Sequence, residues 1–120
     1  MSPTLVLDHG TPVAVLGTPG GDTIPSTLGL LLVRLLAHGM PLDSAVDAPR
    51  LHHGFVPDQI RYERARPPAK ELLDALVQKG HKLYRSWASQ GDVSAIVLTP
   101  TGAFGYADPR EGPGLALAAP

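Results

Sequence analysis

The sequence contains no cysteine, which excludes disulfide bonds, thiolate metal sites and a cysteine nucleophile. Basic residues are few and unclustered. Ten Lys and Arg against eleven Asp and Glu give a net charge of −1, without the basic patch typical of nucleic-acid binding. The most apolar stretch, residues 28–37, is too short to cross a bilayer and contains Arg34. No signal-peptide pattern opens the chain, so the localisation stays open. Neither nucleic acid nor a membrane is expected as a partner.

The composition is that of a folded chain. Of the 120 residues, 43% are hydrophobic and 18% are charged, which differs from the low hydrophobicity of disordered chains. A chain of this length forms one domain as a rule and buries roughly two thirds of its unfolded surface. We assign residues 1–111 to this domain and residues 112–120 to a weakly patterned tail.

Apolar runs and turn residues predict two β-hairpins. Residues 4–7 and 13–16 flank a turn that contains Gly10, and residues 94–98 and 103–106 flank a turn that contains Pro100 and Gly102. The runs of the first hairpin are continuously apolar, so we expect both of its faces to be covered. Shorter strands are predicted at residues 59–63 and 81–84, and an irregular segment at residues 50–58.

Leucine spacing predicts two amphipathic helices. The first begins near Pro25, ends before Gly39 and repeats apolar residues with a helical period, whereas the second begins after Pro68 and ends at Gly80. Their predicted apolar faces consist of Leu28, Leu31, Leu32, Leu35 and Leu36 in the first helix and Ala69, Leu72, Leu73, Leu76 and Val77 in the second. Two hairpins and two such helices indicate an α+β fold in layers.

The segment 17–23, Gly-Thr-Pro-Gly-Gly-Asp-Thr, is the most distinctive loop and lies between a strand and a helix. Adjacent glycines in such a loop can point consecutive N–H groups at a phosphate or an oxyanion. A phosphate loop would carry Lys and Ser or Thr after its last glycine, whereas Asp22 follows here. A tight turn without a function is the third alternative.

Two further candidate sites are the histidine pair His52 and His53, and Ser2. His52 and His53, near Asp47 and Asp58 in the sequence, make a poor metal site, because adjacent residues of an extended chain point to opposite sides. We expect one buried, hydrogen-bonded ring and no metal or cofactor. Ser2 would be a nucleophile only if Met1 were removed, and nothing else in the sequence marks such processing.

Four blocks in order resemble the gamma-glutamyltranspeptidase (gamma-glutamyltransferase) family, in the C-terminal part of its small subunit. They are residues 1–4 (Met-Ser-Pro-Thr), 17–22 (Gly-Thr-Pro-Gly-Gly-Asp), 45–53 (Ala-Val-Asp-Ala-Pro-Arg-Leu-His-His) and 105–110 (Gly-Tyr-Ala-Asp-Pro-Arg). Their order and spacing both match, and the resemblance extends to about Arg110.

The resemblance implies an N-terminal nucleophile hydrolase, a four-layer αββα sandwich made from a self-cleaving precursor. In this family a freed N-terminal threonine attacks a gamma-glutamyl amide, typically that of glutathione, and the acyl group passes to water or to an amine. The family's Pro-Gly-Gly loop stabilises the oxyanion, which makes Gly20 and Gly21 the candidate catalytic residues. Members are often periplasmic or secreted, and some are cytoplasmic.

The same resemblance places the threonine and most substrate contacts upstream of residue 1, so we expect the isolated chain to be inactive and prone to self-association. Its expected partners are the upstream segment and the large subunit of one precursor. Asp22 and Thr23 replace the serine and basic residue of many members. The acyl donor, the acceptor and the balance between hydrolysis and transfer stay open. Alternatives are a related amidase such as a cephalosporin acylase and a non-catalytic binding or assembly domain.

Overall fold

A computed structural model describes residues 3–114 of the chain. The interpretations of Met1, Ser2 and residues 115–120 lie outside these described residues. Along the chain the strands and helices are β1 (Thr4–Asp8), β2 (Thr11–Gly17), α1 (Ile24–Leu32), α2 (Leu42–Asp47), β3 (Leu51–His53), β4 (Ile60–Glu63), α3 (Lys70–Gln78), β5 (Leu83–Ser86), β6 (Ser94–Thr99) and β7 (Gly102–Ala107). A 3₁₀ turn, Gly21–Thr23, precedes α1, and a π-helical turn, Val33–Ala37, continues it.

The two predicted hairpins are present and join into one antiparallel sheet in the order β1–β2–β6–β7. The join is long-range, because β2 pairs with β6 and sets Leu16 opposite Ala95. Helices α1 and α2 cover one face of this sheet, and the core lies between them. Each fully buried leucine there contributes about 1.5–3 kcal/mol through removal of apolar surface from water. The buried core residues are Ala14, Leu16, Leu28, Leu31, Ala45, Val46, Val93 and Ala95.

A second sheet consists of β3, β4 and β5, whose pairing the sequence did not predict. Strand β3 lies within the segment predicted to be irregular, and it pairs antiparallel with β4. Strand β4 then pairs in parallel with β5, across the connection that contains α3. A parallel pair requires such a crossover, and no local turn signal announces it. The α+β class is therefore correct, but the two-hairpin description omits this sheet.

The apolar faces that the sequence predicted are only partly covered. None of the residues of α3 is buried, and Leu72 is 46% exposed. On the four-stranded sheet, Leu5, Val15 and Ile96 lie in one row across β1, β2 and β6, opposite to the core face. Their exposed fractions are 57%, 39% and 43%. We call this row the outer face. Within residues 3–114, then, the first hairpin is covered on one face and open on the other.

No helix in the described part of the chain combines the length and the apolar content that a membrane crossing needs.

Candidate functional site

The loop between β2 and α1 holds two consecutive glycines in left-handed conformations. Gly20 has φ 136° and Gly21 has φ 58°. The carbonyl of Gly20 accepts hydrogen bonds from the N–H (3.1 Å) and the hydroxyl (2.9 Å) of Thr23, which turns that peptide unit toward the start of α1. Both glycines are exposed, and among the contacts within residues 3–114 neither of their N–H groups donates to a protein acceptor. The loop therefore offers two backbone donors to a ligand.

Tight packing against the segment before β6 supports this loop. A Cβ atom at Gly91 would lie 2.4 Å from the Oγ1 of Thr18, and a Cβ atom at Gly20 would lie 3.4 Å from the Cα of Gly91. Thr18 is fully buried. Its hydroxyl donates to the carbonyl of Pro19 (2.7 Å) and accepts from the N–H of Asp92 (3.0 Å). The glycine at position 91 lets the two backbones approach this closely.

Asp22 extends the loop toward the second sheet. Both of its carboxylate oxygens lie 3.2 Å from a guanidinium nitrogen of Arg61, and one lies 3.4 Å from the Nε2 of His52. Desolvation acts to raise the pKa of Asp22, but the hydrogen bond and the positive charge of Arg61 outweigh it and lower that pKa below 3.8. The carboxylate is thus ionised and paired with Arg61, which offsets part of its negative charge beside the two glycines.

The two histidines separate as the sequence predicted. His52 is 7% exposed and its Nδ1 lies 2.8 Å from the hydroxyl oxygen of Ser26, whereas His53 points outward and contacts Asp58 at 3.1 Å. Within residues 3–114, no group of three or more carboxylate or imidazole side chains is arranged to hold a metal ion. His52 instead joins the residues around Asp22.

Four charged side chains form a buried cluster that sequence reasoning missed. Asp108 lies 2.6 Å from a guanidinium nitrogen of Arg50 and 3.1 Å from one of Arg110, which pairs with Glu63 at 2.8 Å. None of these side chains is more than 4% exposed. The available signal was their position: Arg50 lies in the block 45–53, and Asp108 and Arg110 lie in the block 105–110. We call these four residues the charge cluster.

The charge cluster fixes the segment that supports the glycine loop. Arg50 donates to the carbonyls of Gln90 (2.8 Å) and Gly91 (3.3 Å), and Asp108 accepts from the N–H of Val93 (3.1 Å). Glu63 accepts from the N–H of Gln90 at 2.7 Å. Buried charges require such partners, because unpaired ones lose their hydration without compensation. The cluster thus links the end of the described chain to the backing of the loop.

An apolar groove of about 470 Å³ lies elsewhere, between α2 and the edge strand β7. Its lining includes Met40, Leu42, Val97, Phe104 and Tyr106, and none of its lining residues belongs to the glycine loop. The groove and the loop are therefore separate features.

Similarity to known proteins identifies the family of this chain. The model of the gamma-glutamyltranspeptidase family matches residues 1–118 of the chain. The chain belongs to the gamma-glutamyltranspeptidase family. It is 36% identical to the glutathione hydrolase proenzyme of Escherichia coli (strain K12) over 111 residues, which are 92% of this chain and 19% of that protein. The family comprises gamma-glutamyltransferases and hydrolases.

Solved structures agree with this gamma-glutamyltranspeptidase assignment. The gamma-glutamyltranspeptidase from Pseudomonas nitroreducens complexed with L-DON superimposes with a TM-score of 0.92 at 33% identity, covering the whole of this chain and 62% of that one. A cephalosporin acylase from Bacillus halodurans superimposes with a TM-score of 0.77 at 26% identity, over 90% of this chain and 20% of that one. The chain spans about a fifth of the length of its proenzyme relative and less than two thirds of the first solved chain.

Proposed function

We propose that this chain forms the C-terminal part of the catalytic subunit of a gamma-glutamyltransferase or hydrolase, in which Gly20 and Gly21 bind the oxyanion. The observation that carries the proposal is the pair of exposed, left-handed glycines at the start of α1, with N–H groups that bond to no protein acceptor within residues 3–114. Oxyanion binding needs donors held in place before the charge develops. Family membership supports this use of the loop over phosphate binding, and the ion-paired Asp22 leaves the site accessible to an anion.

In this proposal the nucleophile is a threonine hydroxyl in a segment outside this chain. As its proton passes to the N-terminal amine of the same threonine, the hydroxyl oxygen attacks the carbonyl carbon of a gamma-glutamyl amide, and the π electrons of the carbonyl move onto the carbonyl oxygen. The N–H groups of Gly20 and Gly21 donate to that oxyanion. Collapse expels the amine, which takes a proton, and leaves an ester on the threonine. Water or an amine then attacks the ester, receives the acyl group and restores the hydroxyl.

The expected partners are the upstream segment and the large subunit of one precursor. The outer face exposes a row of apolar side chains, and the groove beside β7 exposes Phe104 at 58%. Exposed apolar patches of this kind mark interaction surfaces. A β-sheet from another part of the precursor, packed on the outer face with helices beyond it, would complete the four-layer sandwich. The small-molecule substrate in this proposal is a gamma-glutamyl amide.

The isolated chain is expected to self-associate through these apolar surfaces. Ile96→Lys places a charge in the centre of the outer face and should shift the chain toward monomer in sedimentation or light-scattering measurements. Val77→Lys is the matched control, because Val77 is similarly exposed, at 55%, but lies on α3. A wild-type chain that stays monomeric at high concentration would contradict the expectation.

The purified chain is expected to release no chromophore from a gamma-glutamyl anilide, because an oxyanion site without a nucleophile cannot form the acyl-enzyme. The complementary protein is a chimera in which this chain replaces the matching C-terminal part of the Escherichia coli proenzyme. The chimera should process itself and release chromophore. Activity of the chain alone that disappears in Ser2→Ala would contradict the proposal. A folded, processed but inactive chimera would favour the non-catalytic binding or assembly domain instead.

A second substrate class has its own support in the similarity to the cephalosporin acylase. The loop chemistry would be unchanged, since any amide carbonyl passes through the same tetrahedral oxyanion. The chimera distinguishes the two classes when it is offered a gamma-glutamyl anilide and a side-chain amide of a cephalosporin. We expect a higher kcat/KM for the gamma-glutamyl compound.

A further inference from the structure

His52 contacts the segment that directly follows the two glycines, at Asp22 and at Ser26. The ring is 7% exposed, and its Nδ1 lies 2.8 Å from the hydroxyl oxygen of Ser26, in the first turn of α1. On the other side, Nε2 lies 3.4 Å from a carboxylate oxygen of Asp22, the residue that follows Gly21. That distance is long, and Nε2 makes no hydrogen bond among the described residues although it is inaccessible to solvent. A Cβ atom at Gly54 would lie 3.1 Å from it.

The donors and acceptors around His52 indicate which ring nitrogen carries a proton. The hydroxyl of Ser26 donates to the carbonyl of Thr23 at 3.0 Å, so it can accept from a protonated Nδ1 at the same time. A ring protonated on Nδ1 alone would aim the lone pair of the buried Nε2 at the carboxylate of Asp22, which leaves that nitrogen without a donor. A ring that carries a proton on Nε2 instead directs a donor at a negative charge, which strengthens the contact. As the imidazolium it also donates from Nδ1 to Ser26, whereas in the neutral tautomer Nδ1 accepts the hydroxyl proton of Ser26 in place of the Thr23 carbonyl.

We propose that His52 is a positioning residue for the oxyanion loop, which it holds through a proton on Nε2 directed at Asp22. The inference rests on the proposed function of Gly20 and Gly21, and it adds a residue from the second sheet to that site. The ring contacts the 3₁₀ turn through Asp22 and the first turn of α1 through Ser26, so it fixes the segment that directly follows the donors. Arg61, the partner of His52 in the β3–β4 register, holds the same carboxylate from the adjacent strand.

Long-range ¹H–¹⁵N correlation spectra of the full chain test the proton position directly, without any activity. We expect His52 to show the pattern of a ring protonated on Nε2, either as the neutral tautomer or as the imidazolium. Asp22→Asn should shift the Nε2 resonance, whereas Asp58→Asn, beside the exposed His53, should leave it unchanged. A neutral ring protonated only on Nδ1 would overturn the proposal.

Two substitutions of His52 separate positioning from simple space filling. The terminal amide of Gln reaches the place of Nε2 and can still donate to Asp22, whereas that of Asn reaches only the place of Nδ1, beside Ser26. We expect His52→Gln to keep the HN–Hα couplings that report φ of Gly20 and Gly21, and His52→Asn to change them. The proposal would be overturned if the couplings were retained in both variants, or retained in His52→Asn and changed in His52→Gln.

The two substitutions of His52, made in the chimera, test whether the position of the loop affects catalysis. His52→Asn should lower kcat on the order of 10²-fold with little change in KM, because a small displacement of catalytic groups costs about that much. His52→Gln should lie within several-fold of the parent. An inactive parent chimera would defeat the proposed function while the spectra still decide the role of His52. Gly54→Ala, which crowds Nε2, should lower kcat as His52→Asn does. Gly29→Ala, where an added Cβ meets nothing within 4 Å, should leave kcat unchanged.

Discussion

Asp108→Asn is expected to lower the free energy of unfolding by about 3–5 kcal/mol at neutral pH, the usual cost of removing one partner from a buried ion pair. Asp108 is fully buried and binds Arg50 at 2.6 Å and Arg110 at 3.1 Å. The charge cluster is neutral with two arginines and two carboxylates, so the substitution leaves a net positive charge in the interior. Urea unfolding followed by circular dichroism measures the difference between the two chains.

The pH dependence of that difference identifies its cause. Burial acts to raise the pKa of Asp108, but the hydrogen bond from the N–H of Val93 and the charges of Arg50 and Arg110 outweigh burial and lower the pKa below 3.8. A carboxyl group with a depressed pKa in the folded state stabilises the fold above its unfolded pKa of about 3.9 and loses this contribution as the pH falls through the folded pKa. The gap between wild type and Asp108→Asn should therefore shrink in acid.

Asp74→Asn is the matched control for Asp108→Asn. Asp74 pairs with Lys70 on the surface of α3, with both side chains more than half exposed. Such pairs contribute about 0.5 kcal/mol or less, so this variant should unfold close to the parent at every pH. A difference of under 1 kcal/mol for Asp108→Asn, or one that does not change with pH, would show that the charge cluster does not stabilise the chain in this way.

Local sequence signals predicted the elements whose physics is local. The apolar runs beside Gly10 and Gly102 gave the two hairpins, because turn chemistry fixes which strands meet. The leucine spacing after Pro25 gave α1, which buries Leu28 and Leu31 as expected. In the same way, consecutive glycines before a helix predicted a tight turn, and Gly20 and Gly21 adopt the positive φ values that few other residues adopt. Their role as oxyanion donors stays a prediction.

Local sequence signals did not predict the long-range strand pairing. Strand β3 is only three residues long and lies before Gly54 and Pro57, so nothing in its own sequence distinguishes it from a loop. Its place is set by β4, and that of β4 by β5 beyond a helix. The charge cluster was not predicted from the sequence for a related reason. Arginines and carboxylates are surface residues as a rule, and only the fold brings Arg50 beside Asp108, 58 positions away.

Substitution of Gly20 in the active chimera is expected to lower kcat by about 10²–10³-fold and to leave KM nearly unchanged. Such a loss is typical when one oxyanion donor is misplaced, since the charge it meets exists only in the tetrahedral intermediate. Gly20→Ala displaces the donor because its φ of 136° disfavours a side chain and the new Cβ would lie 2.5 Å from the Oγ1 of Thr23. Proline would remove the N–H outright, but its fixed φ near −65° cannot replace 136° without breaking the turn.

Gly21→Ala separates donor placement from backbone strain. Gly21 has φ 58°, a left-handed conformation that alanine adopts at a cost of about 1–2 kcal/mol, and its Cβ would meet nothing within 4 Å. This variant should therefore be destabilised yet keep both N–H groups in place, with a much smaller loss of kcat than Gly20→Ala. Steady-state kinetics on the folded, processed chimeras measure both values. If Gly20→Ala keeps the parental kcat, or raises only KM, these glycines are turn residues and the oxyanion is bound elsewhere.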